Sequence, residues 1–190
     1  MSTTATTEAI VAFSPRVKAR IAGGFYLVTF MAGALALKGG NGGLAANLIA
    51  TAAYVAVTLL FYDLFKPVSQ RVSLTAAFFG LLGCANGALE SFHVAPFSIS
   101  SLVFFGFYCL LIGYLILRST FLPRILGALM MFGGLGWLTF LFPPLARSLS
   151  PYNMAPGILG EGLLTLWLLV MGVNTQRWME QARSAATAKD

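Results

Sequence analysis

Charge is what this chain has least of. Only 9% of its 190 residues are charged, six of them acids, and the chain has a single histidine. A water-facing domain carries roughly 25% charged residues, so an ordinary soluble fold is excluded. One histidine and so few acids also argue against a carboxylate-bridged di-metal bundle, which needs two Glu-x-x-His motifs and two further glutamates. Cysteine is nearly absent. Cys84 and Cys109 lie inside apolar runs, form no Cys-x-x-Cys pair, and read as small buried hydrophobes. Proline is missing from the middle of every apolar run; all eight stand between or at the ends of runs, where a lost backbone donor does least harm. No hydrolase, kinase or oxidoreductase motif is present.

What remains is hydrocarbon. The chain is 58% apolar, with a mean hydropathy of +0.82. Six runs stand out: Ile21 to Leu37, Leu44 to Phe65, Val72 to Pro96, Ile99 to Leu117, Ile125 to Phe142, and Pro156 to Val173. Each approaches the roughly 20 residues that a bilayer core of about 30 Å demands. The expected fold is therefore all-α: a polytopic membrane protein with a bundle of six transmembrane helices. Residues 1–15 read as a flexible N-terminal tail, 16–175 as the membrane domain, and 176–190 as a cytoplasmic C-terminal tail in which Trp178 sits at headgroup level. The glycines of Lys38–Gly43 predict a turn between the first two helices. Arg16, Lys18 and Arg20 before the first run, with Ala34-Leu35-Ala36 at its end, imitate a cleaved signal peptide. The long polar leader favours a retained helix.

The twelve Lys and Arg set the expected orientation. Ten of them fall on the side of the two termini, and only Lys38 and Arg147 on the other; the positive-inside rule then puts both ends in the cytoplasm. The basic residues are scattered singly, unlike the patch or stripe of a nucleic-acid binder. Nucleic acid is not an expected partner. Arg118 and Arg124, flanking a tight turn, are expected to meet lipid phosphates, and Asp63 to pair with Lys66 or headgroups.

Chemistry is expected in the third run. Asn86, Glu90 and His93 are spaced i, i+4, i+7, one stripe of a helix, and ionisable groups at membrane depth are functional candidates. Glu161, in the oppositely running sixth helix, comes to a similar predicted depth below the outer surface. Asn47, Ser98, Ser100, Tyr152 and Asn153 belong to the same predicted layer. Phe92, Phe97, Trp137 and Phe140 offer walls.

From Leu102 onward the chain resembles an uncharacterised bacterial integral-membrane family, domain of unknown function 4386 (DUF4386). The likeness rests on Phe105-Gly106-Phe107-Tyr108-Cys109-Leu110-Leu111-Ile112-Gly113-Tyr114-Leu115-Ile116 and on Arg118-Ser119-Thr120-Phe121-Leu122-Pro123-Arg124-Ile125-Leu126-Gly127. It continues in Gly160-Glu161, Leu166-Trp167-Leu168-Leu169 and Gly172-Val173-Asn174, and Arg20-Ile21-Ala22-Gly23 with Tyr26-Leu27 is similar to the family's first helix. The resemblance implies a multi-helix bacterial membrane protein and no particular activity or cofactor.

The resulting expectation is binding or processing of a small apolar ligand, lipid or isoprenoid-like, in an outer-leaflet pocket. Glu90, His93 and Glu161 would be the acid–base candidates, and Asn86, Asn47, Trp137 and Tyr152 the binding residues. No metal and no cofactor is expected; membrane lipids are the expected partners. The alternatives are a non-catalytic assembly or structural protein and a small-solute transporter. A carrier fits less well, since both acids lie near one surface and no proline interrupts a helix.

Overall fold

The computed structural model describes residues 14–94 and 99–187. Six helices in it are long and apolar enough to cross a membrane: α1 (Pro15–Ala36), α2 (Gly40–Phe65), α3 (Gln70–Ser91), α4 (Ser101–Arg118), α5 (Arg124–Leu138, prolonged by a 3-10 turn at Thr139–Leu141) and α7 (Ala155–Val170, led in by a 3-10 turn at Tyr152–Met154). Between the last two lies a short helix, α6 (Pro143–Leu149), and after α7 comes α8 (Thr175–Thr187). The protein is an all-helical, multi-pass membrane protein.

Local chemistry explains the boundaries. Ser14, Ser69 and Ser100 cap α1, α3 and α4 through their hydroxyl oxygens, satisfying donors that a helix start leaves free. Gly39 and Gly172 turn the chain with φ of +70° and +68°, a region glycine enters without steric cost. Two sequence boundaries are corrected. Of the expected turn Lys38–Gly43, residues 40–43 already belong to α2. A Cβ on Gly43 would lie 2.9 Å from the Ala36 carbonyl oxygen, so this glycine serves the close approach of α1. The third helix ends at Ser91, short of Pro96. Pro96, Phe97, Ser98, Lys189 and most of the N-terminal tail lie outside the described residues.

The spans form a closed ring in which each packs on its sequence neighbour and α7 returns to α1. Glycine sets the tightest seams. On α4 and α5, Gly106 faces Gly134 and Gly113 faces Gly127; a Cβ on Gly127 or Gly134 would meet the opposing glycine's carbonyl oxygen at 2.7 Å. Gly23 performs the same service where α1 meets Leu169 of α7. Such small-residue contacts let helices approach where lipid offers no hydrophobic drive to associate. Arg20-Ile21-Ala22-Gly23 on α1 and Arg124-Ile125-Leu126-Gly127 on α5 are alike in sequence, and each supplies a packing glycine to a different seam.

The middle of the ring is filled. Tyr26, Tyr108, Phe61, Phe65, Met130 and Leu164 are fully buried, while Met31, Phe78, Ile125, Leu135 and Val170 point outward, as a lipid-facing surface requires. At the end bearing the termini, Asp63 pairs with both Lys18 and Lys66. There α8 is held across the bundle. Trp178 Nε1 donates to the Leu64 carbonyl at 2.8 Å, and Gln181 Oε1 accepts from the Thr120 amide at 3.1 Å.

Candidate functional site

Two glutamates lie within the membrane-spanning helices, and they occupy different surroundings. Glu161, on α7, is buried at 6% exposure. Its Oε2 accepts from the Tyr26 hydroxyl at 2.7 Å and from the Tyr54 hydroxyl at 3.3 Å. Its Oε1 accepts from Trp137 Nε1 at 2.7 Å and from the Cys109 thiol at 3.6 Å. The donors come from α1, α2, α5 and α4, so five of the six spans meet at this one side chain. Four donors match the roughly four acceptor directions of a carboxylate. Among the described residues no cation takes part.

The Trp137 contact depends on a glycine one turn before the acid. A Cβ on Gly157 would fall 2.2 Å from the indole Cε2, far inside any real contact. Gly157 therefore opens the slot through which the indole N–H reaches Glu161.

Glu90 stands at the edge. It is half-buried in the last turn of α3, and its Oε1 accepts from Asn86 Nδ2 and from the Ser101 amide, both at 2.9 Å. Its Oε2 accepts from Ser101 Oγ at 2.9 Å. A carboxylate on the first amide of α4 is favoured by the positive end of that helix. Beside it opens a cavity of about 400 Å³ between α2, α3 and α4. Asn47, Thr51, Glu90, Ser91 and Ser101 form its polar wall; Cys84, Leu102 and Phe105 form its apolar one, with Gly83 and Gly87 leaving room. Asn47 Nδ2 donates to Ser91 Oγ.

The expected common layer is divided. Glu90 bonds to Ser101 and Glu161 to Cys109, eight residues along α4, or about 12 Å at 1.5 Å per residue. Among the described residues the two acids share no partner. His93 leaves the Asn86–Glu90 stripe because α3 has already ended. It adopts φ +58°, with its amide bonded to Glu90 O and that of Val94 to Leu89 O, the pairing of a Schellman C-cap. Its side chain is exposed. Asn86 is 1% exposed and ties α3 to the approach to α4 through the Ile99 carbonyl at 3.0 Å. Trp137 serves Glu161 and not the cavity. Tyr152 is 81% exposed, and the neighbouring Asn153 donates to Thr139 Oγ1 at 3.1 Å. Of the expected binding residues, only Asn47 joins Glu90 at the cavity.

Sequence reasoning missed Tyr26, Tyr54, Cys109 and Gly157. A signal existed for the tyrosines: a hydroxyl in mid-run needs an internal partner where no water reaches.

The model of the family described as a domain of unknown function (DUF4386) matches residues 88–172. An uncharacterized protein of Archaeoglobus fulgidus is 33% identical over 127 residues, covering 62% of this chain and 76% of that one. The chain belongs to the DUF4386 family. No solved structure matches. The family segment begins two residues before Glu90 and includes Ser101, Cys109, Trp137, Gly157 and Glu161, whereas Tyr26, Tyr54 and Asn47 precede it.

Proposed function

We propose that this membrane protein binds a small, mainly apolar molecule with a polar end, in the cavity between α2, α3 and α4. The observation that supports the reading is the division of that cavity's lining. Glu90, Ser91, Ser101, Asn47 and Thr51 offer hydrogen bonds on one side, and Leu102, Phe105 and Cys84 offer apolar contact on the other. Ligand sites combine these two elements. The ten-to-two distribution of basic residues supports placing this end at the outer face of a prokaryotic cytoplasmic membrane, with both termini inside. A lipid or isoprenoid-like occupant then enters from the outer leaflet. Glu90 acts as its hydrogen-bond acceptor, and Asn47 as the second polar anchor.

The test is extraction with native lipids, followed by mass spectrometry of what co-purifies. Parent protein is compared with Glu90→Gln and with Gly87→Leu, whose side chain enters the cavity against Ser101 while keeping the carboxylate. The expected result is a bound molecule in the parent that both variants lose. A parent that retains nothing, or a molecule that both variants keep, defeats the proposal.

Glu161 favours a second role. Its acceptor positions are taken by protein donors, so it serves assembly of the bundle more readily than substrate chemistry.

A further inference from the structure

At the end bearing the termini a second cavity, of about 420 Å³, lies where α7 gives way to α8 beside the first turn of α1. Its apolar wall is Phe121, Trp167, Met171 and Val173; its charged edge is Arg16. Gly172 also lines it, and brings the backbone against two arginine stems. A Cβ there would meet Arg16 Cγ at 2.9 Å and Arg20 Cγ at 3.7 Å. Arg16 and Arg20 are one turn apart on α1, so they share a face. Neither pairs with a carboxylate among the described residues, since Asp63 is taken by Lys18 and Lys66. Arg20 donates to the Val170 carbonyl at 2.9 Å, which fixes it at the mouth of this recess.

We propose that the recess holds an anionic phospholipid of the adjoining leaflet. The phosphate lies on Arg16 and Arg20, and the start of an acyl chain runs over Trp167 and Met171. Charge complementarity carries the assignment. Two guanidinium groups with no carboxylate partner among the described residues stand at headgroup level over an aromatic and aliphatic wall, the composition of basic recesses that take anionic headgroups between helices. Guanidinium matches phosphate geometry through paired N–H donors. Both Trp167 and the stem of Arg16 are then in use: the indole lines the chain and the stem the glycerol region.

Native mass spectrometry from mixed vesicles of phosphatidylcholine and phosphatidylglycerol tests the site, with thermal unfolding in nanodiscs of either composition alongside. The expected result is preferential retention of phosphatidylglycerol and a higher unfolding temperature in its presence. Arg16→Gln should weaken the preference about fivefold, from about 1 kcal/mol per basic residue at a membrane surface. Arg183→Gln, on the exposed side of α8, should leave it unchanged. Trp167 fluorescence should be quenched by brominated phosphatidylglycerol in the parent and less so in Arg16→Gln. Equal retention of both lipids overturns the proposal, as does equal loss in Arg16→Gln and Arg183→Gln. Stabilisation by inorganic phosphate alone in phosphatidylcholine nanodiscs, matching that by phosphatidylglycerol, would assign the site to a soluble phosphate and overturn the lipid.

Discussion

Glu161 and Glu90 are both glutamates among apolar helices, yet one closes a structure and the other leaves one open. Around Glu161 five helices converge and protein donors fill the acceptor positions. Around Glu90 two adjacent helices supply three bonds, and a cavity begins where they stop. The difference lies in depth. A carboxylate in mid-bundle has no water to lean on and must collect partners from the protein, whereas one at a helix junction uses the free amides of the next helix. Structural demand therefore accounts for all of the first site and only part of the second.

The contrast is best broken at its stronger pole. Glu161→Leu would strand the Tyr26 hydroxyl and the Trp137 N–H in a dry interior, at about 1–3 kcal/mol for each orphaned donor. We expect the largest loss of stability there, about 3 kcal/mol or more, read from denaturant titration in mixed micelles. If Glu90→Leu proved equally damaging, the distinction between the two acids would fall.

Gly157→Ala sharpens the same point without removing the acid. The added methyl collides with the Trp137 indole, and overpacking of this kind costs about 1–3 kcal/mol. Tryptophan fluorescence should shift as the indole leaves its carboxylate, and Gly162→Ala, where a Cβ meets nothing within 4 Å, is the matched control expected to be near neutral.

The smallest effect belongs to His93. If its place is that of a helix C-cap and not a proton partner of Glu90, His93→Gly relieves a left-handed backbone and should leave stability equal or raised by up to about 1 kcal/mol. Ligand retention by the cavity should not change. A loss of the bound molecule in His93→Gly would restore the histidine to the site.

The six spans were legible because hydropathy and proline placement answer to one constraint, the absence of water in the bilayer. Glu90 and Asn47 were legible as polar exceptions in apolar runs. His93 was misplaced because a period of 3.6 holds only while the helix lasts, and nothing in Ser91-Phe92-His93 announces where α3 stops. The supposed equal depth of Glu90 and Glu161 failed because counting residues from a loop places a Cα, not the reach of its side chain or the partners that draw it inward. Cys109 and Gly157 left no signal of their own. Their roles come from the helix opposite, which a single sequence does not pair.

A ribosome delivers this bundle in a fixed order. Tyr26, Tyr54, Cys109 and Trp137 leave the exit tunnel first, each holding a proton donor for a carboxylate not yet made, and Glu161 follows in the sixth span. Until that span arrives, the ring lacks both its closing wall and the atom that its earlier members point toward. The acid acts as a keystone: the ring closes only when α7 arrives to meet the donors already in place.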